Sequence, residues 1–298
     1  MVLAMDWGLL AQETVSGLAI GAVYGSLALA LVLIFRTTHV VNFAQGEMAT
    51  FTTFVAWSLN HHMSYWPAFA LTLGIAFAGG VAIERSVIRP VERASPLTVI
   101  MVTIALFVIF NGLTSWIWGG EPKDFPTPVA RKPIRIEGVS FSRHELLVIA
   151  LTLATVLVLW AFFRFTKLGL AMRAAAIGPE SARLLGVRVG WMLALGWGFA
   201  AVLGAISGMM VAPILVLEPT MMQPILIYAF AAAVLGGIAS PAGAVVGGLA
   251  LGVGINLLAT YVSFVTSELE LPVAFAVLIA ILLFRPAGLF GRPVARRV

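Results

Sequence analysis

The chain contains no cysteine. Disulfide frameworks, thiolate nucleophiles and zinc–thiolate sites are thereby excluded. Charge is scarce too: Asp, Glu, Lys and Arg make up 10% of the 298 residues, against roughly a quarter in ordinary soluble domains. That scarcity excludes a disordered chain, which needs low hydrophobicity and high charge. No glycine-rich loop ends in Gly-Lys-Ser or Gly-Lys-Thr, so nucleotide phosphates are not cradled in that way. No nucleophile–base pair and no metal-ligand cluster stands out, and the adjacent pair His61–His62 reads as an interfacial loop. The N-terminus has no basic stretch ahead of its first apolar run and carries Asp6 and Glu13. It is expected to stay as an anchor, not to be cleaved as a signal peptide.

What the chain has is apolar sequence, 61% of it. That is too much for one water-soluble core of this length. The expected fold is an all-α polytopic membrane protein with eight or nine transmembrane helices, one of them short or broken. Uncharged runs lie near 15–35, 48–59, 66–83, 97–118, 146–163, 191–217, 221–238, 242–265 and 271–284. The run 48–59 is only a dozen residues, and an eight-span reading would make one short segment re-entrant.

Charge placement favours nine crossings with the N-terminus outside and the C-terminus cytoplasmic. Every Lys and Arg then faces the cytoplasm except Lys123, Arg131, Lys132, Arg135 and Arg143, which share one long external loop, 119–145. In that loop, alternating residues around Glu137–Gly138 predict a small β-hairpin on the membrane surface. The net charge is +5, yet the basic residues form no continuous stripe, so no nucleic-acid partner is expected.

Glycine is abundant, with 29 copies. Gly17, Gly21 and Gly25 form a ridge at four-residue spacing, as do Gly204 with Gly208, Gly243 with Gly247, and Gly248 with Gly252. Small residues at this spacing let helix backbones approach closely in lipid. The plain reading is intramolecular packing; the sharper one is a sliding or dimer surface.

Polar residues inside apolar spans are costly and informative. The densest group is the block from His39 to Glu47, where Asn42, Gln45 and Glu47 cluster between the first span and the short second one. Glu47 reads either as a lone interfacial carboxylate or as a group that buttresses the broken backbone there or pairs with Arg36. Asn111, Gln223 and Asn256 stand singly in later spans and read first as helix–helix hydrogen bonds. Asn42, Gln45, Glu47, Asn111 and Gln223 are the candidate lining of a translocation path. No acid, base or histidine relay crosses the membrane, which disfavours an ion-driven carrier.

The loop 164–190 carries Arg164, Lys167, Arg173, Arg183 and Arg188 against the single acid Glu180. Pro179 suits a helix start, Glu180 its positive end and Gly186 its stop, predicting a short helix from Pro179 to about Leu185. Leu184 and Leu185 beside Arg183 fit a docking helix; a basic loop held by anionic lipid is the plainer alternative.

Three blocks and a C-terminal turn resemble one family. Val40 to Glu47 is close to its N-F-A-[HQ]-G-E block. Lys167 to Ala174, followed by Ala182 to Val187, is similar to its cytoplasmic loop. Ala233 to Ala244 is similar to its V-L-G-G block, with Ala239 where the family often has Gly, and Arg285 to Gly291 completes the order. The chain resembles the shorter permease subunit of branched-chain amino-acid ABC importers.

The resemblance implies a non-enzymatic permease with the ABC-importer permease fold in a bacterial or archaeal inner membrane. It implies two cytoplasmic ATPases, a second permease subunit that is a paralogue or an identical copy, an external solute-binding protein and contact with membrane lipid. ATP would be held on partner subunits and no cofactor on this chain. The cytoplasmic-loop residues Arg173, Pro179, Glu180, Arg183, Leu184, Leu185 and Gly186 would couple to the ATPases. Gly17, Gly21, Gly25, Gly236, Gly237, Gly243 and Gly247 are expected to pack helices. Permeases of the family for urea or short amides, and a partner-independent carrier or channel for small neutral solutes, remain alternatives.

Overall fold

Small polar residues and prolines punctuate the apolar runs, and helices begin where they stand. The computed structural model describes residues 7–38, 40–92, 94–130, 133–136, 139–262, 266, 269–285 and 288–291. Asp6, His39, Arg93, Arg131, Lys132, Glu137, Gly138, Glu268, Pro286 and Ala287 lie outside the described residues, as does 292–298. The helices are α1 (Trp7–Thr38), α2 (Gln45–Asn60), α3 (Tyr65–Ile83), α4 (Pro96–Trp118), α5 (Arg143–Phe165), α6 (Lys167–Ile177) and α7 (Pro179–Leu184). After them come α8 (Val189–Val211), α9 (Met222–Gly236), α10 (Pro241–Tyr261) and α11 (Glu270–Phe284). A π-helical turn, Glu84–Ile88, extends α3.

The starts have local causes. Ser95 and Ser240 each accept a hydrogen bond from a first-turn backbone N–H, at 3.2 Å and 3.1 Å, with Pro96 and Pro241 next in line. Ser142 and Glu145 form a reciprocal capping box on α5. The ends of three runs differ from the uncharged sequence by four residues or more. Helix α1 starts ahead of residue 15, because Glu13 accepts a hydrogen bond from Asn256 Nδ2 of α10 at 2.8 Å and so joins the bundle. Helix α8 stops at Val211, where Pro213 has no N–H to continue the ladder. Helix α10 stops at Tyr261, short of residue 265.

Helix α1 is the central post, almost wholly buried from Ala19 to Ile34 and packed on α8, α9, α10 and α5. Its glycine ridge explains the closeness. A Cβ on Gly21 would lie 2.8 Å from the carbonyl oxygen of Gly248, and one on Gly25 would lie 3.0 Å from that of Val245. Gly248 and Gly252 answer from α10, while Gly243 and Gly247 on its other face meet Gly236 and Ala232 of α9. Gly204 and Gly208 of α8 receive Gln45, Ala49 and Thr53 of α2. Each of these four glycine ridges serves intramolecular packing. No hydrophobic force separates helix from lipid inside a bilayer, so close packing and hydrogen bonds hold such a bundle together.

Helices α4 and α5 form the periphery and expose Met101, Val108, Trp116, Leu157, Val158 and Trp160. Among the described residues six helices, namely α1, α3 with its extension, α4, α5, α8 and α10, are long and apolar enough to cross a membrane. Helices α2, α9 and α11 are shorter, at 16, 15 and 15 residues. The molecule is a multi-pass α-helical membrane protein.

Between α4 and α5, strands β1 (Ile134–Ile136) and β2 (Val139–Phe141) pair antiparallel, with Ile134 opposite Phe141. The same connection is tied back to the bundle. Lys123 and Leu217 exchange backbone hydrogen bonds at 2.9 Å and 3.1 Å, across the link between α8 and α9.

Candidate functional site

The block that precedes α2 folds as a set of ties. The Asn42 side-chain oxygen accepts from Ala44 N at 3.1 Å, turning the chain into α2, and Asn42 Nδ2 donates to Gln45 Oε1 at 3.2 Å. Gln45 Nε2 donates to the Ala200 carbonyl of α8 at 2.8 Å. Gly46 brings α2 against α9: a Cβ there would lie 3.2 Å from Met222 O. Glu47 is fully enclosed.

The Glu47 carboxylate joins three elements. Oε1 accepts from Gln223 Nε2 of α9 at 2.9 Å, and Oε2 accepts from Asn111 Nδ2 of α4 at 3.3 Å. Asn111 also donates to the Pro219 carbonyl at 3.2 Å, just ahead of α9. The structure thus brings Glu47, Asn111 and Gln223 together, with Asn42 and Gln45 one turn away as a separate tie to α8. Arg36 has no part in it. It lies at the far end of α1, lining a cavity with Arg173. Glu47 accepts from two neutral side-chain amides of α4 and α9, so among the described residues it is neither a lone interfacial carboxylate, nor paired with Arg36, nor bonded to the broken backbone ahead of α2. Sequence spacing could not reveal a contact between residues 64 and 176 positions apart.

The second constellation is the elbow between α5 and α8. Thr166 caps α6 by accepting from Gly169 N at 2.9 Å. Gly178 and Pro179 break the helix, and α7 follows for six residues. Gly186, at φ +82°, closes α7 so that Val187 N donates to Ala182 O at 3.0 Å. Ala175, Ala182 and Val189 form a small core that anchors the elbow to α8. Leu184 and Leu185 are 90% and 83% exposed.

The basic residues of this loop divide. Arg183 lines a cleft with Arg85, Arg89 and Arg188, in which the Arg85 guanidinium stacks 3.6 Å over the Trp191 ring. Arg173 turns inward under α6 and is not brought to the exposed leucines.

One contact joins two of the family-like blocks. Leu289 N donates to Leu235 O at 2.8 Å and Phe290 N to Gly236 O at 3.1 Å, so the C-terminal turn caps the end of α9. Gly237 and Gly288 make it possible with φ of +104° and +76°. Gly237 therefore serves as the end of a helix and the seat of this turn. Asn256 makes the helix–helix hydrogen bond expected of it, but its mate Glu13 and the tie Ser16–Glu145 escaped sequence reasoning, since no local pattern marks them.

A family profile described as "Branched-chain amino acid transport system / permease component" matches residues 14–282. The chain is 29% identical to the high-affinity branched-chain amino acid transport system permease protein LivH of Salmonella typhimurium, over 96% of this chain and 97% of that one. It is 30% identical to the corresponding protein BraD of Pseudomonas aeruginosa, with the same coverage. It is 28% identical to a probable LivH of Methanocaldococcus jannaschii, over 89% of this chain and 87% of that one. Among solved structures it is similar to PsaBC from Streptococcus pneumoniae in complex with Fab, with a TM-score of 0.50, 13% identity, and coverage of 96% and 94% of the two chains. That likeness concerns the fold alone.

Proposed function

Because the chain belongs to the branched-chain amino acid transport permease family, we propose that it is a permease subunit of an ATP-binding-cassette importer for branched-chain or related amino acids. It forms part of the translocation path and hydrolyses nothing itself. Two cytoplasmic ATPases supply the work, a second permease subunit completes the path, and an external solute-binding protein delivers the solute. The chain sits in a bacterial or archaeal inner membrane with its N-terminus outside and its elbow in the cytoplasm.

The observation that carries this reading is the pair Leu184 and Leu185, both exposed at the tip of a helix that is itself anchored to α8. Large apolar side chains held rigidly in water mark a docking surface. Rigid anchoring lets a push on α7 reach α8, and α8 carries the Ala200 carbonyl that holds Gln45. Motion at the elbow thereby reaches α2. Asn42, Gln45 and Glu47 hold α2 in place, while Asn111 and Gln223, half-buried and not enclosed, would be the members of the set that meet a solute. The solute is zwitterionic and aliphatic, so a path with few neutral polar groups suits it; tight binding there would slow release.

The test is ATP-dependent uptake of labelled leucine by proteoliposomes holding this chain with its ATPase and permease partners and the solute-binding protein. Uptake should vanish when the ATPases are left out. Selective flux through the chain alone would establish a partner-independent carrier or channel instead, and uptake of urea or short amides without leucine would reassign the substrate.

A further inference from the structure

Between α1, α5, α6, α8 and α10 lies a cavity of about 210 Å³. Its walls are apolar: Leu29, Leu33, Leu159, Trp160 and Phe163 among them. Trp160 is 58% exposed, so the cavity opens on the periphery of the bundle. At one end stand two guanidinium groups, Arg36 and Arg173, close enough to repel each other. Among the described residues neither is given a carboxylate, and the Arg173 Nε is buried without a hydrogen-bond partner. Two like charges at the end of an apolar slot are costly when unanswered.

We infer that this cavity is a site for an anionic phospholipid, with its phosphate between Arg36 and Arg173 and an acyl chain along α1 and α5. The inference takes from the proposed function only that the elbow lies on the cytoplasmic side, and not that the chain transports a solute. Charge complementarity selects the occupant. A guanidinium pair matches phosphate oxygens through several parallel N–H donors. A free phosphate leaves the apolar wall uncovered, and a zwitterionic lipid brings its own cation towards the arginines. Only a molecule with an anionic head and an apolar tail answers both halves of the site. Basic pockets between transmembrane helices on the cytoplasmic side take such head groups, and Arg173 belongs to the elbow element α6. The lipid would therefore rest on α6 and hold it against α1 and α5.

The experiment is native mass spectrometry of the full-length chain, purified in detergent and titrated with dioleoylphosphatidylglycerol or dioleoylphosphatidylcholine. The wild type should retain phosphatidylglycerol at least about tenfold more tightly than phosphatidylcholine. Arg36→Gln combined with Arg173→Gln should abolish that preference, and Arg36→Lys with Arg173→Lys should keep part of it. Ala176→Phe, which fills the slot and leaves both charges, should also release the lipid. Far-ultraviolet circular dichroism and elution volume establish that each variant is folded. Equal retention of the two lipids by the wild type would overturn the inference. So would an unchanged preference in the double Gln variant, or displacement of the lipid by inorganic phosphate alone at millimolar concentration.

Discussion

The Glu47 carboxylate of α2 accepts a hydrogen bond from the Gln223 amide of α9 at 2.9 Å, across 176 positions of sequence. With Asn111 it makes a three-helix knot whose acid has amide donors and, among the described residues, no cation. Such a knot holds a short helix in place without a buried ion pair, whose desolvation is expensive.

The knot should behave as one unit. Glu47→Leu and Gln223→Leu should each destabilise the detergent-solubilised protein by about 1–3 kcal/mol, the first by leaving two half-buried amides unmet and the second by leaving an enclosed carboxylate one donor short. The double variant should lose clearly less than the sum of the two. Denaturant titration followed by tryptophan fluorescence measures this. Strict additivity would show that the two residues do not act on each other.

Glycines of α10 should divide by position along one helix. Gly248 faces Gly21 and Gly25 of α1, so Gly248→Val should cost at least about 1–3 kcal/mol through overpacking. Gly254 has nothing within 4 Å of where a Cβ would stand, so Gly254→Ala should raise stability by up to about 1 kcal/mol. Thermal unfolding of the two variants in the same detergent tests the contrast.

The elbow should tolerate loss of its leucines without loss of fold. Leu184→Ser with Leu185→Ser removes side chains that touch little of the chain itself, so stability should change by less than about 0.5 kcal/mol. In the assembled transporter the same variant should lose most ATP-dependent uptake and release the ATPases on size-exclusion chromatography. Full uptake with intact assembly would remove α7 from the coupling route.

The C-terminal turn depends on Gly288. A Cβ there would meet Val234 O at 2.6 Å and Gly237 N at 2.7 Å, and φ is +76° besides. Gly288→Ala should therefore detach the turn from α9 at a cost of about 1–2 kcal/mol. Faster proteolysis at the C-terminal end, with the rest of the chain protected, is the expected signature. Unaltered cleavage would mean that the two backbone bonds to Leu235 and Gly236 add no protection.

Much of this was legible in one dimension. The caps Ser95, Ser142 and Ser240 lie within a turn of the helices they start, although the uncharged runs placed those starts one to three residues later. The short helix at Pro179 and its stop at Gly186 were equally local, and glycine spacing announced ridges without naming their mates. Arg173 could not be placed, because a basic residue in a basic loop reads the same whether it faces solvent or a cavity. The partners of Glu47 were not legible for a similar reason: Arg36 is near in sequence, while Asn111 and Gln223 are near only in space.

The sequence by itself determined that this is a membrane-embedded helical bundle with a basic elbow, because hydrophobic run length, charge placement and capping are short-range properties. Tertiary structure alone decided which helices touch, where each buried polar group finds its partner, and that the C-terminal turn seals α9. The physical reason is range: a hydrogen bond in a bilayer-sized bundle is satisfied by whichever donor the fold delivers, and no spacing along the chain encodes that delivery.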